Sequence, residues 1–287
     1  MSPGGTVKLS DAGLLAVAFV WGLTFVMVKE SLLFVSPFRF LFYRFALSFL
    51  MLVGISGKRL RHLDRSVLVH GALIGVFLFL GYGFQTVGLQ YTTPANTGFI
   101  TGLSVVIVPF LAAGLLKMPP GKSVFLGVGC AAAGLFLLSV EKMEVNHGDV
   151  LVLLGAFAFA MHLILVGKYV RSHDPVLLTT IQIGMVTLLS FAAGSGQYWS
   201  VNNIVVRALL ITSIFATVMA FLVQNLAQRH TPPTRTAVIF ATEPVFAAVC
   251  SYILVGETFT VRKVAGCLLI LTGMLIAELM GDKNMKS

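Results

Sequence analysis

Two stretches of the chain, YGFQTVGLQYTTPANT at residues 82–97 and FLVQNLAQRHTPPTRT at residues 221–236, coincide at a constant spacing of 139. Tyr82 falls on Phe221, Gln85 on Gln224, Pro94 on Pro233 and Thr97 on Thr236. The proline and glutamine matches carry the weight, because only 10 prolines are available to coincide by accident, against 28 glycines. Working outward, Gly127 meets Gly266 and Gly134 meets Gly273 at the same spacing. Toward the N-terminus the register slips by one, so that Pro37 meets Pro175 and Arg44 meets Gln182, as a changed loop length after duplication would produce. Each copy holds five apolar runs. A second copy of an odd number of membrane crossings must enter from the opposite side, so the repeats are inverted, an arrangement that secondary transporters use for alternating access.

Composition requires the membrane. The chain of 287 residues is 57% hydrophobic and 11% charged, far from the balance of a soluble domain. A helix needs about 20 mostly apolar residues to cross the hydrocarbon core. Runs of that kind are expected at 11–28, 36–56, 67–90, 94–116, 121–140, 148–168, 174–196, 202–228, 233–254 and 260–280. The expected fold is therefore an all-α polytopic membrane protein of ten transmembrane helices in two inverted five-helix repeats, residues 1–140 and 141–287, forming one integral membrane domain. The connections are too short to hide a nucleotide-binding or DNA-binding domain, and no phosphate loop of the GxxxxGK[ST] type is present.

The net charge of +9 sorts by loop into a topology rather than a nucleic-acid footprint. With the N-terminus inside, thirteen Lys and Arg residues fall on the inner side, six on the outer side, and Arg44 within the membrane. The cluster Lys58, Arg59, Arg61 and Arg65 anchors that assignment. The bias predicts both termini in the cytoplasm. The first apolar run reads as a retained helix rather than a cleaved signal peptide. Cys130, Cys250 and Cys267 sit in apolar runs without ligand spacing, as small packing residues. Neither a metal site, nor a cofactor, nor a nucleic-acid partner is expected. With no HExxH, GxSxG or paired acidic site, no catalytic residue and no enzymatic activity is expected either.

A charged side chain at a helix centre costs about 2.5 to 3.5 kcal/mol on insertion scales, so such residues are the candidates for function. Glu243 lies deep in the ninth run and precedes Pro244, which releases the carbonyl of Phe240 from the helix ladder. It reads as a proton-binding or amine-binding group, or else as a structural carboxyl; Ser104 is its equivalent in the first repeat. Arg44 either faces inward against a carboxylate or reaches the headgroups along its stem. Tyr82 with Gln85, and Phe221 with Gln224, each set an aromatic ring beside an amide, the chemistry of a small-molecule wall or of interhelical hydrogen bonds. Trp21 and His162 complete the cavity, or serve as an interfacial anchor and a packing group. Glycines seven apart, Gly127 and Gly134, Gly266 and Gly273, mark a close-packing or homodimerisation seam.

AFVWG at 18–22, Arg44, TTPANTGFITGLSVVIVPFLAA at 92–113 and TPPTRTAVIFATEPVFAAVCSYILVGE at 231–257 follow in this order within the duplicated halves. With them the pattern resembles the drug/metabolite transporter superfamily, in its ten-helix EamA-type branch. The resemblance implies a secondary transporter of small organic metabolites or toxic compounds, often an exporter, with a central cavity lined by both halves. Two departures break the symmetry: Lys117 and Met118 stand where the second half has Gly256 and Glu257, and the sixth helix has no tryptophan at the place of Trp21. The expected function is a proton-coupled or uncoupled transporter of amino acids or related metabolites in the inner membrane. Trp21, Arg44, Tyr82, Gln85, His162, Phe221, Gln224 and Glu243 are the expected substrate contacts, with Glu243 as coupling residue. The rival is a membrane binding or assembly protein that never changes access.

Overall fold

The computed structural model describes residues 3–117, 121–139, 146–194, 200, 202–246, 249 and 260–281. The protein is all-α. Its helices are α1 (Pro3–Ser31), α2 (Pro37–Ser56), α3 (Arg65–Tyr91), α4 (Pro94–Gly102), α5 (Ser104–Leu116) and α6 (Lys122–Ser139). The second half follows with α7 (His147–Tyr169), α8 (Pro175–Ala193), α9 (Asn203–Ser213), α10 (Ala220–Gln228), α11 (Pro233–Phe240) and α12 (Val261–Gly281). A π-helical turn, Ile214–Met219, joins α9 to α10 within a single span. Among the described residues, seven helices are long and apolar enough to cross a membrane, and Lys122–Leu137 is a shorter apolar one. Large apolar side chains such as Leu50, Phe110, Leu188 and Leu268 are exposed on the outside of the bundle, the inverse of a soluble surface and the arrangement that lipid requires.

Local chemistry starts these helices where the sequence repeats. Pro37, Pro94, Pro175 and Pro233 each open a helix, at the position where a missing N–H costs nothing. Asp64, Thr93, Asn146, Asp174 and Asn202 cap the following helices through their side-chain oxygens, each worth about 1 kcal/mol.

Two expected runs are broken. The run at 94–116 is interrupted at Leu103, between α4 and α5, and the run beginning at Pro233 is interrupted at Ala241 and Thr242 before helix resumes at Glu243. The breaks are equivalent, since 103 and 242 differ by the repeat spacing. Gly102 weakens the first helix locally. Pro244 follows the second break at a first-turn position, where proline is tolerated. Both Ser104 and Glu243 consequently begin a helical segment in the middle of the bundle, with its free backbone N–H groups nearby.

The glycine seam closes α6 on α12 within one chain. A methyl group on Gly134 would sit 2.6 Å from the carbonyl of Gly266, and one on Gly273 would sit 2.5 Å from that of Gly127. Those glycines are spent on intramolecular packing, so they do not supply a homodimer surface. Cys130 is half-buried and Cys267 buried, both as free thiols; Cys250, Gly256 and Glu257 lie outside the described residues.

Candidate functional site

A cavity opens where the two repeats meet. α1 lines it with Trp21, Thr24, Phe25 and Val28, α2 with Arg44, and α3 with Tyr82, Gln85, Thr86 and Leu89. Thr101, Gly102 and Ser104 contribute from the first helix break. The second repeat adds Phe159, His162 and Leu163 from α7, Phe221 and Gln224 from α10, and Phe240 and Glu243 around the second break. The centre of a water-sized sphere has about 80 Å³ in which to move, several times the roughly 10–15 Å³ that one water requires. All eight residues singled out from the sequence, Trp21, Arg44, Tyr82, Gln85, His162, Phe221, Gln224 and Glu243, lie on this one wall.

Most of the lining is paired by the duplication. At the spacing of 139, Tyr82 corresponds to Phe221, Gln85 to Gln224, Thr101 to Phe240 and Ser104 to Glu243; at 138, Trp21 corresponds to Phe159, Thr24 to His162 and Phe25 to Leu163. Of the five unpaired lining residues, Arg44, Gly102, Val28, Thr86 and Leu89, the last three lie toward one face. Val28 and Leu89 lie near the ends of α1 and α3, and Thr86 one turn deeper. Their equivalents Val166, Asn225 and Gln228 do not line it. The cavity lining therefore reaches farther toward the face where α1 and α3 end than toward the face where α1 begins.

Arg44 faces inward and is buried, 4% exposed. Its partners are not the expected carboxylate. Nε donates to the Thr217 hydroxyl at 2.9 Å, and Nη2 donates to the Ala216 carbonyl at 3.2 Å and the Tyr82 hydroxyl at 3.3 Å. The guanidinium also lies 4.7 Å from the centroid of the Tyr82 ring and 5.2 Å from that of Phe45, distances at which a ring face attracts a cation. The π-turn makes this possible, because widening the helix disturbs the regular i→i−4 ladder. The Ala216 carbonyl accepts a second bond, 2.9 Å, from Trp21 Nε1. Trp21 is thereby fixed as a cavity wall against Phe221 and Phe240, at ring separations of 5.6 and 4.9 Å, rather than as an interfacial anchor.

The two glutamines differ. Gln85 Nε2 donates to the Thr101 hydroxyl at 2.9 Å. Gln224 Nε2 donates to Gln228 Oε1 at 3.0 Å, and Gln228 Nε2 donates to the Leu163 carbonyl at 3.0 Å. That carbonyl can only accept, so it orients both amides and leaves Gln224 Oε1 as a buried acceptor without a partner among the described residues. His162 Nε2 bonds Gln182 Oε1 at 2.8 Å, so the equivalent of Arg44 holds the equivalent of Thr24. Glu243 lies half-buried on the cavity wall with neither an ion pair nor a hydrogen bond to its carboxylate among the described residues.

Residues that sequence reasoning passed over tie the spans together at both faces. Thr92 donates to Asp149 at 2.6 Å, and Thr231 donates to Asp11 at 3.1 Å. These are the same bond in the two repeats, at spacings of 139 and 138, and that coincidence was available in the sequence. Arg235, one of the thirteen basic residues assigned from the sequence to the inner side, is instead buried and ion-paired with Asp11. Thr217 and Ala216 had no sequence signal, because nothing marks a π-turn in an apolar run.

Comparison with known proteins agrees with this architecture. The model of the EamA-like transporter family matches the chain twice, over residues 8–140 and 146–279. A protein of Archaeoglobus fulgidus described as an uncharacterized transporter is 36% identical over 272 residues, covering 94% of this chain and 86% of that one. The uncharacterized transporter YyaM of Bacillus subtilis is 28% identical, covering 92% of each chain. A solved crystal structure superposes with a TM-score of 0.79 at 17% identity, covering 98% of this chain and 99% of its own, which speaks to the fold. Duplicated sequence, inverted helices and a shared cavity thus converge on one assignment: the chain belongs to the EamA-like transporter family.

Proposed function

We propose that this membrane transporter moves small organic metabolites, amino acids or related compounds, across the cytoplasmic membrane by alternating access, as an exporter. One observation carries the reading: the cavity wall is built from equivalent residues of both inverted repeats yet reaches farther toward one face than the other. An inverted repeat whose halves adopt unequal conformations has a second state available to it in which the halves exchange roles. Aromatic walls with a few polar groups suit a small, modestly apolar solute. Glu243, free of a protein partner among the described residues, is the group for a proton or a substrate amine. The distribution of basic residues supports cytoplasmic termini, so the cavity extends toward the outer face in the present state.

Thiol labelling tests the cycle. In a protein lacking Cys130, Cys250 and Cys267, Thr86→Cys should react with an impermeant reagent from outside right-side-out vesicles, and Asn225→Cys only from within. A stabilising amino acid should shift the two reactivities in opposite directions, and a cysteine appended after Ser287 should react only from within. Ligand-independent reactivity at both positions identifies a static scaffold; an appended cysteine reactive from outside reverses the topology.

A further inference from the structure

One turn of the eighth span holds the only charge that α2 brings to the cavity. Thr217 gives its own hydroxyl proton to the Thr212 carbonyl at 2.9 Å, so the oxygen that meets Arg44 Nε is fixed as an acceptor. The arginine backbone is tied to the same span. Ser213 Oγ donates to the Arg44 carbonyl at 3.0 Å, and Ser48 Oγ donates to the carbonyls of both Arg44 and Ser213, at 2.8 and 3.1 Å. Position and side-chain direction of Arg44 are therefore both set by residues 213–217.

Among the described residues, every partner of the guanidinium is neutral: two hydroxyls, a carbonyl and two ring faces. Such partners orient the cation without cancelling its charge. Nη1 has no acceptor among the described residues, while Arg44 lines the cavity and is 4% exposed. A buried, oriented guanidinium with an unfilled nitrogen offers a carboxylate a charge-assisted hydrogen bond from Nη1. The symmetry-related position has no such device. Phe77 and Leu78, the equivalents of Ala216 and Thr217, lie in the continuous helix α3, and Gln182 stands uncharged in place of Arg44.

We propose that the Ile214–Met219 turn is a specificity element, in which Thr217 acts as the positioning residue that presents Arg44 Nη1 as the subsite for a substrate carboxylate. This rests on the transporter reading above and narrows its substrate to carboxylate-bearing solutes. Because the symmetry-related position, Gln182 with Leu78, has no equivalent of it, the subsite also fixes the solute's orientation, with its carboxylate toward α2.

The test uses the purified full-length protein, with the twenty proteinogenic L-amino acids and the carboxamide of each binder as probes of affinity. At least one acid should bind, and its carboxamide should bind about tenfold more weakly, a difference of about 1.4 kcal/mol. Thr217→Val keeps the shape and removes the acceptor; it should bring that ratio close to one while carboxamide binding persists, and Thr217→Ser should restore it. A ratio unchanged in folded Thr217→Val overturns the proposal, as does a carboxamide that equals its acid in the unaltered protein. Should Thr217→Val fail to fold, Arg44→Lys, which keeps the charge but has neither the Nε that Thr217 holds nor an Nη1 to present, should also lose the ratio, and an unchanged ratio there is equally fatal. Absence of any amino-acid binder overturns the carboxylate subsite while leaving transport itself to the labelling experiment, whose static outcome alone defeats the transporter reading.

Discussion

Thr92 with Asp149 and Thr231 with Asp11 form the same hydroxyl–carboxylate bond in the two repeats, yet the surroundings of the two bonds differ in kind. At the face where α7 begins, Asp149 also completes a reciprocal cap with Asn146, an arrangement local to the start of one helix. At the opposite face Asp11 lies inside α1 and pairs with buried Arg235, 224 residues away in sequence. Both bonds join the two repeats; the first also secures a helix end, and the second is reinforced by a buried ion pair. Around it Gln224, Gln228 and the Leu163 carbonyl form a chain of amides, and Asn225 donates to Thr179 at 2.7 Å. The corresponding part of the first repeat holds Gln85 and Thr86 on the cavity wall. Duplication supplied equivalent positions, and different hydrogen-bond partners now hold them in the two halves.

The largest contrast is expected where the cavity itself is asymmetric. Glu243→Gln keeps the shape of a neutral acid and cannot release a proton, so flux in sealed vesicles should lose its whole response to an imposed pH gradient. Ser104→Ala, at the equivalent position, should leave that response in place. A Gln variant that retains the gradient-driven component makes Glu243 structural and the protein an uncoupled facilitator; one that folds but no longer binds substrate assigns the carboxylate to a substrate amine.

The next contrast concerns stability. Asp11→Ala strips Arg235 of this buried countercharge and should cost about 3–5 kcal/mol, whereas Asp149→Ala removes a cap and a hydroxyl bond for about 1–2 kcal/mol. Unfolding of the detergent-solubilised proteins compares them directly. Equal losses would show that the two bonds are alike and that the face where α1 begins owes nothing to its ion pair.

A smaller difference separates the glutamines. Gln224→Leu leaves Gln228 Oε1 buried without its donor, at a cost of about 1–3 kcal/mol, while Gln85→Leu frees a Thr101 hydroxyl beside the cavity, where water replaces the amide. Transport should fall in both folded variants, with a stability loss only in Gln224→Leu. Unchanged binding and flux in both would reduce the amides to packing elements.

Much of this was legible before any helix was placed, for reasons that differ by residue. The repeat spacing located Tyr82, Gln85, Phe221 and Gln224, and the cost of polarity in lipid located Arg44 and Glu243; all six reached the cavity wall. The same spacing contained Asp11, Thr92, Asp149 and Thr231, but a hydroxyl and a carboxylate near helix ends look like ordinary caps until their spans are packed. Arg235 read as one of the inner-side charges because it follows Pro232 and Pro233 so closely. Apolar length alone merged α4 with α5, since a break of one residue leaves composition unchanged.

By itself the sequence determined the membrane, the duplication, the inversion that follows from an odd number of crossings, and which side chains are too costly in lipid to be there by accident. These are properties of composition and of spacing along one chain. Tertiary structure alone decided toward which face the cavity reaches farther, that Arg44 rests on neutral partners, and that the glycine seam is internal. Each depends on contacts between helices far apart in sequence, Arg44 to Thr217 across 173 residues and Gly134 against Gly266. A duplicated sequence specifies such contacts in equivalent pairs, and only the packed helices break the tie between the halves.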